Sequence, residues 1–250
     1  MDLFIVTGSS RGMGLGIARQ LLAPDHLVLG IARQTSPALT DASTSNGGAL
    51  IQWQQDLADP LAAAARLQAW LAAQDGTQFA SASLINNAAL LTPPGALETS
   101  SDASLSACLR VGLEAPTLLA AAFLRATAGW PGARKVLNIS SGLGRRAMAG
   151  SASYCAIKAG LDHLSRAMAL DQALVPNGAK VVSLAPGVID TDMQVQLRSS
   201  DPAQFSSQAM FQAMHDNGQL DSIDSAGAKV IAFLHRADFG NNPVADVRDA

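Results

Sequence analysis

Aromatic side chains make up only 4% of this 250-residue chain, and there is a single tyrosine among them, Tyr154. Chemistry that needs a phenol therefore has one place to occur. Cysteine is nearly as scarce, with only Cys108 and Cys155. Two thiols without ligand spacing make neither a zinc cage nor a disulfide framework, and they suit a reducing compartment, so a cytoplasmic location is expected. Charged residues are sparse at 15%, with a net of −3. That balance leaves no basic footprint for nucleic acid or for an anionic membrane. No apolar run is read as reaching the ~18 residues of a membrane span. Phe4-Ile5-Val6 leads directly into a glycine-rich loop, so no secretory leader is expected. The four histidines, His26, His163, His215 and His235, are scattered, and no metal site is expected.

What the chain does have is alternation. Leu3–Thr7, Leu27–Ala32, Ala49–Gln54, Ser83–Asn86, Val136–Ser140, Val181–Ala185 and Val244–Val247 are short apolar runs that read as strands. Helix-period segments separate most of them: Gly14–Leu22, Pro60–Ala73, Leu105–Thr127, Ala152–Leu174 and Ser225–Arg236. This order predicts an α/β fold with a parallel sheet of about seven strands and helices on both faces. The strands are apolar on both sides, as a doubly covered sheet requires. Two segments break the rhythm. Thr35–Gly48, rich in Ser, Thr and Gly, reads as a surface loop with little helix. Asp192–Asp221 follows a strand and carries Met193, Phe205, Met210, Phe211 and Met214, which suits a substrate lid.

The first strand runs into Thr7-Gly8-Ser9-Ser10-Arg11-Gly12-Met13-Gly14 and then a helix. Glycines there let the backbone turn sharply and let pyrophosphate approach, and the helix start offers unpaired N–H groups. Ser10 and Met13 belong to the same loop. The second strand ends Gly30-Ile31-Ala32-Arg33, without the carboxylate that holds a ribose 2′-hydroxyl in NAD sites. Arg33 and Arg11 suit a 2′-phosphate instead, which favours NADPH. Asp56-Leu57 after the third strand is placed to meet the adenine. Asn86-Asn87-Ala88-Ala89 after the fourth permits close backbone approach, with Asn87 and Ala88 at the cofactor.

Tyr154 stands four residues before Lys158, on one helix face, and Ser141 closes the apolar run that starts at Val136. A free phenol has a pKa of about 10, and a nearby ammonium is expected to lower it. Tyr154 would protonate a carbonyl oxygen, Ser141 would hydrogen-bond it, and Lys158 would hold the nicotinamide ribose. These parts point to a reductase.

With those motifs in their order, the chain resembles the short-chain dehydrogenases/reductases over essentially its whole length. The resemblance rests on Thr7-Gly8-x3-Gly12-x-Gly14, Asn86-Asn87-Ala88-Ala89, Ser141 with Tyr154-x3-Lys158, and Pro186-Gly187-x3-Thr191. Asn138-Ile139-Ser140-Ser141-Gly142, Tyr154-Cys155, the stretch from Ala185 to Gln194 and the tail Asp246-Val247-Arg248-Asp249 are further similar to bacterial (S)-benzoin-forming benzil reductases, which are close to sepiapterin reductases. The resemblance implies one Rossmann-type domain over residues 1–250 and NADPH-dependent reduction of one carbonyl of a 1,2-dicarbonyl. Reduction of a 3-oxoacyl thioester or a sugar is the alternative, as is a dinucleotide sensor without turnover. It implies a homodimer or homotetramer packed through Leu105–Thr127 and Ala152–Leu174. By the same resemblance Ser141, Tyr154 and Lys158 are catalytic. Pro186, Gly187, Ile189 and Thr191 meet the cofactor, the last two holding the nicotinamide carboxamide. Met193 and Asp246 meet the substrate, Asp246 lining up with the carboxylate that anchors the pterin in sepiapterin reductases. One departure stands out. Gly112 occupies the place where the family has an asparagine that braces a helix kink, and restoring asparagine there is expected to keep or raise turnover.

Overall fold

The computed structural model describes residues 1–249. Seven strands form one all-parallel sheet. They are β1 (Asp2–Thr7), β2 (His26–Ala32), β3 (Ala49–Gln54), β4 (Ser81–Asn86), β5 (Ala133–Ile139), β6 (Lys180–Ala185) and β7 (Val244–Asp246). Their spatial order is β3-β2-β1-β4-β5-β6-β7, so the winding reverses between β1 and β4. Ligands of open α/β sheets sit outside the carboxyl ends of the strands at such a reversal.

The helices are α1 (Gly12–Leu21), α2 (Pro37–Asn46), α3 (Pro60–Ala72), α4 (Asp102–Leu109), α5 (Ala115–Ala126), α6 (Ala152–Ala173), α7 (Asp192–Arg198), α8 (Gln208–Asp216) and α9 (Ile223–Leu234). Side chains alternate across each strand and so feed two cores. Leu3 and Ile5 of β1 join Leu67 and Leu71 of α3 and Leu119 and Phe123 of α5. Phe4 and Val6, one residue out of phase, join Ile17 and Leu21 of α1 and Val230 and Leu234 of α9. This two-sided burial is the reason the strands read as unbroken apolar runs.

Three expectations need correction. Thr35–Gly48 is mostly helix, not loop. Pro37 occupies the first turn of α2, where its missing N–H costs nothing, and Gly47 closes the helix at φ 77°. One fully buried side chain, Leu39, ties α2 down, and the Gln52 amide grips the backbone N–H and C=O of Ser36 at 2.7 and 3.1 Å. A single anchor leaves no periodic stripe to read.

The second correction is that Leu105–Thr127 is not one regular helix. α4 and α5 are joined by a π-helical turn, Arg110–Glu114, where the Ala115 N–H reaches back to the Arg110 carbonyl. Pro116 has no N–H to return to the Gly112 carbonyl four residues earlier, which is a reason for the wider turn. The third is that the whole stretch Asp102–Ala126 is long and apolar enough to cross a membrane by length and composition, contrary to the reading of the sequence. Half of its most apolar window is buried inside the molecule, and Ala115, Leu119, Ala120 and Phe123 pack on the sheet.

Candidate active site

At the carboxyl ends of β1 and β4 the backbone is drawn together by one hydroxyl. Thr7 Oγ1 accepts from the Asn87 and Ala88 N–H groups at 2.9 and 3.0 Å, while the Asn87 amide donates to the Thr7 carbonyl at 2.9 Å. The glycine loop folds against this knot. Gly8 has φ 69°, a left-handed value that glycine adopts without strain. A Cβ on Gly14 would lie 2.2 Å from the Gly8 carbonyl oxygen and 2.4 Å from the Asn87 amide nitrogen, so only glycine fits there.

A cavity of about 390 Å³ opens above the winding reversal. Gly8, Ser10, Arg11, Gly12, Met13 and Gly14 line it at one end, with Arg33, Asp56, Leu57, Asn87 and Ala88. Ser141, Tyr154 and Lys158 line its middle, and Pro186, Gly187, Ile189, Thr191 and Met193 line it beyond β6. Every site residue named from the sequence therefore faces one space, except Asp246. That carboxylate is 5% exposed, behind the wall, where Arg248 takes both its oxygens at 2.8 and 2.5 Å and Arg145 lies 3.7 Å away. Arg11 meets a carboxylate the sequence reading did not pair with it: Asp192, the first residue of α7, at 2.5 Å. Both partners are well exposed, so the pair holds Arg11 weakly.

Tyr154 and Lys158 project from the first turns of α6, beside the end of β5 that carries Ser141. Lys158 is 2% exposed and donates to the Ile139 carbonyl at 2.7 Å, with its Nζ 5.4 Å from the Tyr154 ring centroid. Burial pulls its pKa down to about 8, and the Asp162 carboxylate opposes that fall. Burial pushes Tyr154 up to about 12; the Ser141 hydroxyl acts against the rise and neighbouring Cys155 adds to it. The expectation that the lysine acidifies the phenol is thus not met in this structure. Desolvation is the largest influence on the phenol.

Beneath these groups lies buried polar wiring. Asp162, one turn beyond Lys158, is 1% exposed and accepts from Ser140 and Ser183 at 2.6 and 2.7 Å. Its second oxygen has no hydrogen bond, and the Arg145 guanidinium stands 3.5 Å from it. Asn86 donates to Asn138 and Asn138 to Ser165, each at 2.9 Å, pinning β4, β5 and α6.

The segment from Asp192 to Asp221 closes at its base, where Asp190 N–H donates to the Asp221 carbonyl and Asp221 N–H to the Val188 carbonyl, both at 2.9 Å. Between these ends α7 and α8 cover the cavity with Met193, Leu197, Met210, Phe211 and Met214. Phe205 is fully buried and stacks on Phe211 at 5.7 Å. Gln194 is 3% exposed, lines the cavity, and has an amide oxygen without a partner.

Sequence reading missed Gln194, Arg146, Leu143, Met148 and Arg248 as lining residues. Arg248 stood in a quoted motif, but the neighbouring carboxylate drew the assignment. Gln194 likewise ended a quoted stretch without being assigned, and Arg146, Leu143 and Met148 carry no local signal. The structure also reverses the expectation for Gly112. A Cβ there would sit 2.7 Å from Ile157 Cγ2, and Ile157 is 1% exposed and adjacent to Lys158. A buried β-branched methyl cannot swing aside, so an asparagine displaces Ile157 instead of restoring a brace.

The short-chain dehydrogenase family model matches residues 2–202. A benzil reductase ((S)-benzoin forming) of Bacillus subtilis is 32% identical over 252 residues, covering 100% of this chain and 99% of its own. Sepiapterin reductase of Mus musculus is 31% identical over 98% of this chain and 96% of its own. Among solved structures, a short-chain dehydrogenase/reductase of Burkholderia vietnamiensis is 33% identical, with a TM-score of 0.64 over 99% of this chain and 97% of its own. The chain belongs to the short-chain dehydrogenase family and is an oxidoreductase.

Proposed function

We propose that this protein reduces a ketone with NADPH, its substrate being one carbonyl of a 1,2-dicarbonyl such as benzil. The observation that carries the reading is that Ser141, Tyr154 and Lys158 share one cavity with the glycine loop. The full-length similarity to benzil reductase supports the substrate class. The family binds a nicotinamide dinucleotide, and the loop fits one. Its glycines form a cradle that a Cβ would fill at Gly14, while a Cβ on Gly12 would meet only Thr191 Cγ2 at 3.7 Å, leaving room on the cavity side.

NADPH over NADH rests on charge. The end of β2 offers Arg33 and no carboxylate, and Arg33 lines the cavity. Arg11, loosely held by Asp192, is the second cation within that end. Asp56 keeps one oxygen on the Ala58 N–H at 2.9 Å, which leaves the other for an adenine amino group. Arg33→Asp is expected to raise the KM for NADPH about tenfold or more and to leave that for NADH much less changed. An unchanged NADPH KM removes the assignment.

The cofactor, when bound, supplies hydride to the carbonyl carbon. Tyr154, whose phenol is protonated at neutral pH, gives its proton to the carbonyl oxygen. Ser141, whose Oγ is fixed by the Leu143 N–H at 3.2 Å, hydrogen-bonds the same oxygen and orients it. Lys158 supplies the positive charge that the phenolate needs once its proton has gone. The apolar side chains of α7 and α8 form a lid that keeps water from the reacting carbon.

The deciding experiment follows NADPH oxidation on a panel of benzil, 1-phenylpropane-1,2-dione, diacetyl and sepiapterin. Turnover of an aryl diketone above the others supports the reading. Oxidation with none of them, while NADPH binds, supports the sensor reading instead.

A further inference from the structure

On the substrate side of Ser141 the cavity carries two guanidiniums that the reduction of a neutral diketone does not use. Arg146 follows the short helical turn after Ser141 and lies close to Gly142, within 4.0 Å of where a Cβ on that glycine would be. Arg248 lies just past β7, where Val247 comes within 3.9 Å of the corresponding point on Gly187. Both arginines line the cavity and both are exposed to it and to solvent. The two segments are tied together, because Arg145 donates to the Ala245 carbonyl at 2.7 Å.

The carboxylates of this cluster face inward. Asp162 and Asp246 are 1% and 5% exposed, and Arg145 and Arg248 stand against them. Among the described residues Arg146 has no carboxylate partner, and only guanidinium edges from this cluster reach the cavity. The bidentate grip of Asp246 uses Nε and Nη2 of Arg248 and so fixes its plane, leaving further N–H groups pointing outward. Around this basic rim the walls are apolar: Leu143, Met148, Met210, Phe211 and Met214. Of the other acids, Asp192 is turned to Arg11 at the glycine loop, and Asp249, exposed beside Arg248, does not line the cavity.

We propose that Arg146 and Arg248 receive an anionic group of the substrate, so that the preferred ketone carries a carboxylate on an apolar body. The inference rests on the ketone-reductase reading and narrows its substrate. The reaction is the ordinary one: ketone, reduced nicotinamide cofactor and a proton give the secondary alcohol and oxidised cofactor. The carboxylate takes no part in bond making; it anchors the far end. Asp246 acts here as a positioning residue for Arg248, in place of the direct substrate contact that sequence alone suggested.

The test compares aryl keto acids of graded length with their methyl esters, which match them in shape and lack the charge. Benzoylformate, 3-benzoylpropionate and 4-benzoylbutyrate form the series. At low salt the best acid is expected to exceed its ester in kcat/KM by about tenfold, and raising salt from about 20 mM to about 500 mM is expected to erode that ratio. Arg248→Gln and, independently, Arg146→Gln are expected to bring the ratio toward one. Arg146 is exposed, so its variant guards against a folding defect in the other. Calorimetry on the NADP⁺-loaded protein is expected to give tighter binding of that acid than of its ester. Acids no better than their esters, with benzil still reduced, overturn the inference and leave the reductase standing. A ratio that survives both substitutions also overturns it. Absence of turnover with every carbonyl, benzil included, overturns the reductase reading itself.

Discussion

Tyr154 and Lys158 are displaced in opposite directions by the same burial, one up to about 12 and the other down to about 8. The phenol stays protonated through neutral pH, and the lysine is the group of the two that titrates first as pH rises. As pH rises through about 8 the ammonium discharges, the phenolate formed in the reaction loses its counter-charge, and kcat for reduction is expected to fall. A profile flat from about pH 6 to pH 10 would argue against this role. Stability moves the other way. The folded lysine binds its proton less tightly than the unfolded one, near 10.5, so between about 8 and 10.5 the unfolded state holds more protons and stability rises with pH. Lys158→Met is expected to flatten that rise, read from denaturant midpoints across the range. At Gly112 the prediction is structural. Gly112→Asn is expected to cost about 1–3 kcal/mol and to lower kcat, because the new side chain drives Ile157 against its neighbours beside Lys158. Adding Ile157→Ser removes the methyl and is expected to recover part of both losses; a stable and fully active single variant would contradict the packing argument.

Among the elements, the legible ones are those whose period is set by burial. Strands covered on both faces read as apolar runs, and α1, α3, α6 and α9 showed a stripe. α2 did not, since its only fully buried side chain is Leu39, helped by partly buried Ala42 and a glutamine from β3. Leu39→Ala is accordingly expected to cost about 2–4 kcal/mol, measured by chemical denaturation, with little effect on KM. A kink at Gly112 was implied by the resemblance, but its π-helical form was not legible, since a missing donor at Pro116 does not say how the helix will widen. The candidate site was legible wherever glycine, tyrosine or lysine stood at fixed spacing. It was illegible at Arg146 and Gln194, whose meaning comes only from the space they face, and misleading at Asp246, whose charge is spent on Arg248 within the wall.

The molecule as a whole brings the glycine loop, Tyr154 and the apolar side chains of α7 and α8 to one opening, and this arrangement depends on the winding reversal between β1 and β4. Arg11, Arg33, Lys158, Arg146 and Arg248 line that opening, against the carboxylates Asp56 and Asp192. If these cations receive the anionic cofactor as proposed, its association rate is expected to decline with ionic strength. The central claim is that the single phenol delivers the proton while hydride arrives from NADPH in the same cleft. Single-turnover oxidation of bound NADPH by benzil, compared between wild type and Tyr154→Phe, tests it most directly. The account predicts a loss of about 10²–10⁴ in the rate with NADPH binding retained; equal rates in the two proteins would contradict it.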